Sequence, residues 1–346
     1  MSEDIKGINR EAVTQWLLDH VPDSKPPFRF ELIAAGGSNL TFRVTDVNGV
    51  SWALRRPPTG GRIATAHDMA REWRIMAALG SSDCGVPVPE MIALCEDSSV
   101  NETPFYVMEF VEGTILRHAE TAQGMSVEQC LRATESLIDV QIAMHKLDLE
   151  GAGLADLSKH GGYVERQLKR WKKQVDTANI RSLPLLDKLH EKLSKNVPAE
   201  VNGVGLAHGD YRFDNTVMGP DYRITAVLDW ELCTLGDPIA DFCWSMMYWA
   251  DPGDRLMFYQ RPPTLYENFM RRDEMVKLYE AKSGFDVTNI DYYVAFSWWK
   301  MACINEGVYS RMLKGGGGGL KSSTSVDIGD RVLEFLAMAD EAAANF

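Results

Sequence analysis

The chain has 346 residues, 45% of them hydrophobic and 25% charged, and carries a net charge of −13. That is an ordinary soluble globular composition, long for one core and comfortable for two lobes, with no run near the roughly eighteen apolar residues of a membrane span. No stripe of Lys and Arg alternates with aromatics as a nucleic-acid groove requires, so neither nucleic acid nor a membrane is expected as a partner.

The amino-terminal MSEDIKGINR lacks the apolar core of a signal peptide, which points to a cytoplasmic protein. Residues 9–20 read as a helix, with Asn9 as N-cap and Ala12, Val13, Trp16 and Leu17 along one face. Strand-like runs follow at 28–35, 40–47 and 50–56, and Asn48-Gly49 between the last two signals a tight hairpin. At the first turn, Gly36, Gly37, Ser38 and Asn39 form a segment whose glycines let backbone N–H groups approach phosphate oxygens. A plain hairpin loop would look the same. Strand alternation puts Ala53 and Arg55 on one face of the third strand and Trp52, Leu54 and Arg56 on the other.

Residues 67–79 read as a helix closed by Gly80, with Met69, Trp73 and Met76 as its apolar stripe and Glu72 on that stripe. A carboxylate among core-facing residues needs a cation. Arg55 is the candidate, and local pairing with Arg71 or Arg74 is the alternative. Strands at 91–95 and 105–110 complete a five-stranded antiparallel sheet, and Phe110-Val111-Glu112-Gly113 connects it to the rest of the chain. The remainder reads as helices at 127–146, 163–177, 183–195, 239–249, 265–283, 290–313 and 327–345, with His145 as a satisfied structural histidine. The glycine run at 315–319 has no strand leading into it and reads as a surface loop. Six cysteines without any C-x-x-C pairing read as reduced, buried residues, with no zinc site or disulfide framework.

The chemistry concentrates in LAHGDYRFDNTVMGPDYRITAVLDWE, residues 206–231. Asp210 and Asn215 sit five apart in a loop, and an apolar strand at 224–228 delivers Asp229 to the same place. This is the layout of a kinase centre. One carboxylate accepts the proton of an attacking hydroxyl, while an Asn oxygen and a second carboxylate hold Mg²⁺ against nucleotide phosphates. Singly, each residue could be a turn former or a helix cap.

The string H-G-D-x-x-x-x-N followed by apolar-apolar-Asp-Trp-Glu resembles the aminoglycoside phosphotransferase and choline kinase superfamily, matched in motif order from Gly36 to Asp241. LRRPP, PFYVMEFVEG and HGDYRFDN are similar to the subgroup related to the kinase-like domain associated with acyl-CoA dehydrogenases. The resemblance implies an α+β, bilobal protein-kinase-like fold. A nucleotide-binding lobe would span 1–111, with the five-stranded antiparallel sheet and a helix, and a mostly helical catalytic and substrate-binding lobe would span 112–346.

It also implies ATP and Mg²⁺ as cofactors, with Asp210 and Arg212 as catalytic residues and Asn215 and Asp229 as metal ligands. Gly36, Gly37, Ser38, Asn39, Arg55, Glu72, the Glu109 carbonyl and the Val111 N–H would hold the nucleotide. Arg55 stands where the family pattern has lysine, and Arg212 stands where protein kinases keep a lysine facing the γ-phosphate. Asp229 is followed almost at once by Gly236-Asp237-Pro238, which leaves no room for a long activation loop and counts against protein substrates. His208, Asp237 and Asp241 are expected to brace the catalytic loop. The expected function is transfer of a phosphoryl group from ATP to a hydroxyl of a small molecule: an antibiotic, sugar, amino alcohol or hydroxyacyl compound. A catalytically silent nucleotide-binding regulator and a metal-dependent hydrolase are the competing readings.

Overall fold

The computed structural model describes residues 5–35, 39–58, 68–254, 261–314 and 325–346, so Gly36, Gly37, Ser38 and the glycine run at 315–319 lie outside it. Helix α1 (Arg10–His20) is capped by the Asn9 side chain, which accepts from the Ala12 N–H. Strands β1 (Arg29–Ala35), β2 (Leu40–Thr45), β3 (Ser51–Arg56), β4 (Met91–Cys95) and β5 (Phe105–Glu109) form one antiparallel sheet in the order β1-β2-β3-β5-β4. At the β2–β3 hairpin the strands stop at Thr45 and resume at Ser51, so the connection is longer than the Asn48-Gly49 signal suggests. The Asp46 carboxylate accounts for the difference: it accepts from the N–H groups of Asn48 at 2.8 Å and Val50 at 2.9 Å, and Gly49 takes a φ of 85° that suits glycine.

The two faces of the sheet have different neighbours, as alternation requires. Phe42, Val44, Leu54, Phe105 and Val107 pack with Val13, Trp16 and Leu17 of α1. Ala53, Tyr106 and Met108 pack with Met69, Ile75 and Met76 of α2 (Met69–Gly80) in the larger core. Helix α2 is capped by Asp68, and Gly80 lies inside its last turn. A short α3 (Ser98–Asn101) joins β4 to β5.

Beyond the sheet come α4 (Val127–His145), α5 (Tyr163–Ala178), α6 (Pro184–Lys195), α7 (Pro238–Met246), α8 (Arg272–Ser283), α9 (Ile290–Leu313) and α10 (Ser325–Ala343). Helix α9 is the hub: Tyr292, Tyr293, Phe296, Trp299 and Cys303 are buried, and α5, α6, α7 and α10 all pack on it. The helix expected over 265–283 begins only at Arg272, because the Glu274 side chain accepts from the Arg271 N–H and fixes the start there. Between α6 and α7 lie two small ladders, β6 (Gly205–Ala207) with β9 (Thr234–Gly236) and β7 (Thr216–Met218) with β8 (Ile224–Val227). Strand β8 falls on the apolar run expected at 224–228, while the three-residue strands are too short for a period to be read from sequence. Among the described residues no helix is long and apolar enough to cross a membrane.

Candidate active site

The loop after β6 is held by one buried carboxylate. Asp241, in the first turn of α7, accepts from the N–H groups of His208 at 3.2 Å and Gly209 at 2.9 Å, and from His145 Nε2 at 3.2 Å. His145 Nδ1 lies 2.7 Å from the Tyr279 hydroxyl, and the His208 ring reaches the Leu228 carbonyl at 2.9 Å. Burial works against the Asp241 charge, yet these partners overcome it and hold its pKa below the ordinary carboxylate range. Gly209 has a φ of 84°, and a Cβ there would come within 2.8 Å of the Leu232 carbonyl oxygen, so the loop can turn only on glycine. Asp237 caps α7 through the Ile239 and Ala240 N–H groups and accepts from the Tyr293 hydroxyl at 2.6 Å. Asp241→Ala should destabilise the protein by about 3 kcal/mol in chemical denaturation, since it leaves buried donors unpaired. A loss under about 1 kcal/mol would mean that the loop is held by something else.

Asp210 projects from this loop with 21% of its side chain exposed, so it is open on one side. The Asn215 amide nitrogen donates to the Asp210 carbonyl at 2.7 Å and to its Oδ2 at 2.9 Å. That commitment turns the Asn215 carbonyl oxygen away from Asp210. Arg212 lies 3.6 Å from Asp210 Oδ2, pairs with Asp214 at 3.2 Å, and spreads over the Tyr248 ring at 4.4 Å. Burial raises the Asp210 pKa, and Arg212, His208 and Asn215 offset this only in part.

Asp229 follows β8 in the left-handed region, with φ 66° and ψ 61°, a conformation a non-glycine residue keeps only when its surroundings enforce it. Trp230 enforces it: the ring is fully buried against His208 at 4.8 Å, and its Nε1 donates to the Val227 carbonyl at 3.0 Å. The Asp229 carboxylate pairs with Arg55, whose Nε donates to Glu72 Oε2 at 3.1 Å. Burial opposes the Arg55 charge, but Tyr106, Glu72 and Asp229 more than restore it, so its pKa stands above the usual arginine value. Of the two cations weighed as local partners for Glu72, Arg74 bonds Asp156 and Arg71 bonds the Cys233 carbonyl. Arg56, on the opposite face, is buried with its guanidinium on the Pro57 and Gly7 carbonyls.

Two members of this network, Tyr106 and Glu231, carry no expectation from sequence, and a third, Asn39, is expected only at a phosphate-facing turn. The Tyr106 hydroxyl donates to Glu72 Oε2 at 3.0 Å, and Asn39 donates from its amide nitrogen to Glu72 at 3.3 Å and to Glu231 at 3.0 Å. Asn39 therefore faces inward, buried between two carboxylates, rather than outward in a turn. The register Arg55↔Tyr106 across β3 and β5 is a readable signal for Tyr106; nothing local marks Glu231. Because Arg55 spans two carboxylates, Arg55→Ala and Glu72→Ala should not add: a coupling of about 1–3 kcal/mol is expected in kcat/KM for ATP. Additivity within about 0.5 kcal/mol would break the pair. Arg55→Lys should restore little, because a compact ammonium lacks the fork that reaches both partners.

A cavity of about 160 Å³ lies under the sheet, lined above by Ile33, Thr41 and Ala53 and below by Val217 and Leu228, with Met108 to Gly113 along its side. It is a mostly apolar slot flanked by exposed backbone, and the Val111 N–H has no partner among the described residues. Gly113 is needed here because a Cβ would fall 2.6 Å from the Met218 carbonyl oxygen, where Thr114 clips onto β7. Among the described residues no group of three or more His, Cys, Asp or Glu is placed to hold a metal ion. One carboxylate at Asp229 and one amide oxygen at Asn215 are instead the sparse oxygen set that suits Mg²⁺ sharing phosphate ligands.

An antiparallel five-stranded sheet joined through a short connector to a helical half, with the Asp210 loop at the junction, defines the protein-kinase-like fold. Residues 29–282 match the phosphotransferase enzyme family, and the chain belongs to that family. It is 34% identical to a protein of Ralstonia eutropha JMP134 provisionally named as an aminoglycoside phosphotransferase, whose crystal structure aligns with a TM-score of 0.81 over 97% of this chain and 98% of that one. The GDP complex of aminoglycoside 2′-phosphotransferase-IIIa aligns with a TM-score of 0.62 at 15% identity, over 97% and 99% of the two chains, and shares the fold. Human acyl-CoA dehydrogenase family member 11 is 35% identical over 284 residues, covering 81% of this chain but 36% of that protein. The chain thus spans about a third of the length of that curated relative.

Proposed function

We propose that the protein transfers the γ-phosphoryl group of ATP to a hydroxyl of a small molecule in a Mg²⁺-dependent reaction. The observation that carries this is that Asp210 and Asn215, from the loop after β6, are brought together with Asp229, which follows β8: the Asn215 amide donates to the Asp210 carboxylate at 2.9 Å and the Leu228 N–H, next to Asp229, donates to the Asn215 backbone carbonyl at 2.8 Å. Asp210 orients the acceptor hydroxyl and takes its proton, a role suited to a carboxylate whose pKa is raised by burial. Arg212, beside it, faces the transferring phosphoryl group, and Arg55, aligned by Glu72, binds the α and β phosphates. Asn215 and Asp229 would hold the cation, and Mg²⁺ held there would supply neutralisation of phosphate charge. The Glu109 carbonyl and the Val111 N–H, beside the slot, would hold the base, and Gly36, Gly37 and Ser38 would contact phosphate. Asn39, the next residue, hydrogen-bonds Glu72.

The division into a nucleotide lobe, 1–111, and a catalytic and substrate lobe, 112–346, belongs to the same reading, supported by the sheet ending at Glu109 and the clip at Thr114. Acceptors compatible with the mechanism are antibiotics, sugars, amino alcohols and hydroxyacyl compounds. The test is a panel of such hydroxyl compounds with ATP and Mg²⁺, read by a mass gain of one phosphoryl group on the acceptor. Nucleotide binding without transfer to any acceptor would leave a silent nucleotide-binding regulator instead.

A further inference from the structure

Arg117, Asp214, Arg212 and Asp210 form a row of alternating charges. Arg117 Nε lies 3.2 Å from Asp214 Oδ1, Arg212 Nη2 lies 3.2 Å from Asp214 Oδ2, and Arg212 Nε stops 3.6 Å from Asp210 Oδ2. Asp214 is fixed within this row by its neighbours in sequence. It belongs to a single 3₁₀ turn (Phe213–Asn215), in which the Phe213 ring packs against Trp249 at 5.7 Å and Phe269 at 5.8 Å, and Asn215 is held on Asp210. Both neighbours are buried, while the Asp214 side chain between them stays 23% exposed. Arg117 reaches it from the connector, two positions after Ile115, which lines the slot under the sheet.

Arg212 is held in the row without its donors being used up. Its guanidinium spreads over the Tyr248 ring at 4.4 Å, and Tyr248 in turn hydrogen-bonds Asp210. No side-chain N–H of Arg212 hydrogen-bonds a described residue, and Nε is buried without a partner. A buried donor in that state is unfavourable, and the acceptor within easiest reach is Asp210. Arginine and carboxylate frequently close into a two-pronged pair. Closure here would neutralise Asp210 and commit the Arg212 fork. Asp214 is the other carboxylate in contact with Arg212 among the described residues, and it draws the guanidinium away from Asp210. The Arg212 side chain is 30% exposed, so its remaining donors are open to a ligand.

We infer that Asp214 is a positioning residue for the transfer: it anchors Arg212 over Tyr248 and short of Asp210, so that the guanidinium meets the transferring phosphoryl group and Asp210 keeps its charge for the acceptor hydroxyl. The inference rests on the phosphotransferase reading, which puts the phosphoryl group at Arg212. In this role Asp214 touches no substrate and acts through Arg212. Ion pairs this exposed add little to stability, so the loss of Asp214 is read in rate and not in Tm.

The test asks whether Asp214 matters only where Arg212 is present. With an acceptor from the hydroxyl panel, kcat, KM for ATP and Tm are measured in the parent, Asp214→Asn, Asp214→Glu, Arg212→Ala and the double mutant Arg212→Ala, Asp214→Asn. Asp214→Asn should lower kcat at least about tenfold, the scale of one hydrogen bond to a charged group, with KM for ATP within about threefold of the parent. Asp214→Glu keeps the charge and should recover most of the loss. In the Arg212→Ala background Asp214→Asn should change kcat by less than about twofold. An equal loss in both backgrounds, a loss that tracks a fall in Tm, or parent-like kcat in Asp214→Asn overturns the positioning role.

A second arm needs no acceptor. In the Mg-ADP complex, aluminium fluoride is titrated by calorimetry as a mimic of the phosphoryl group in transfer. It should bind at least about tenfold more weakly in Asp214→Asn than in the parent, and equally in Arg212→Ala with and without Asp214→Asn. Equal binding in the parent and Asp214→Asn overturns the role. If the expected pattern appears and no acceptor is ever phosphorylated, the positioning role stands and the phosphotransferase reading falls. If acceptors are phosphorylated and Asp214→Asn acts alike with and without Arg212, the positioning role falls and the phosphotransferase reading stands. Neither transfer nor binding of the mimic in the parent overturns both.

Discussion

Asp210→Asn lowers kcat by at least about a hundredfold and leaves Mg-ATP affinity nearly unchanged. The asparagine keeps the size of the side chain and an oxygen that can still accept from Asn215, and Arg212 retains its pair with Asp214. What disappears is the charge proposed to orient and deprotonate the acceptor. The pH profile gives a second reading of the same residue. Burial raises the Asp210 pKa, and a general base works only when deprotonated, so the acid limb of kcat/KM should fall at a pH above the ordinary aspartate value of about 3.9. That limb should vanish in the mutant. Stability should move the other way. A carboxyl whose folded pKa is raised contributes stability below its unfolded pKa and loses it as pH rises through the folded value, so at neutral pH the Asp210 charge is a cost. Asp210→Asn should therefore keep or raise Tm. Equal kcat in mutant and parent would remove Asp210 from the chemistry, and a lowered Tm would show that its loss is structural.

Much of the architecture is legible in the sequence because the elements are long and their neighbours agree. The three-strand meander, the amphipathic α2 and α4 and the apolar α9 each carry a period or a turn signal that tertiary packing does not override. The pairing of Arg55 with Glu72 is legible because strand alternation chooses Arg55 over Arg56 and a stripe carboxylate demands a cation. Bracing of the loop by Asp241 and His208 is expected as a role, but its geometry is not: two backbone N–H groups converge on one carboxylate over more than thirty residues of separation. The orientation of Asn39 is hidden. A residue after two glycines and a serine reads as turn chemistry, while its inward aim is set by Glu72 and Glu231, the latter 192 positions away.

Asp229→Ala should abolish Mg²⁺-dependent nucleotide binding, with Mg-ATP affinity falling at least about a hundredfold, while the much weaker binding of ATP in chelator is kept. The proposed site offers the cation few oxygens. In the proposed site Asn215 would supply a neutral oxygen and Asp229 the charged one, so its loss would remove the anchor of a metal that tolerates little geometric error. Arg55 complicates the result in a useful way. In the nucleotide-free protein it pairs with Asp229, and Asp229→Ala leaves it on Glu72 alone, so the arginine keeps a partner and the phosphate side of the site is not dismantled. The Asp229 side chain is also 30% exposed, which keeps the stability loss of the nucleotide-free mutant small. Calorimetry with and without Mg²⁺ therefore separates the two roles. If Asp229 is a metal ligand, parent and mutant differ strongly with Mg²⁺ and converge without it. If Asp229 serves only to hold Arg55, they differ by the same factor in both conditions, and the metal site belongs elsewhere.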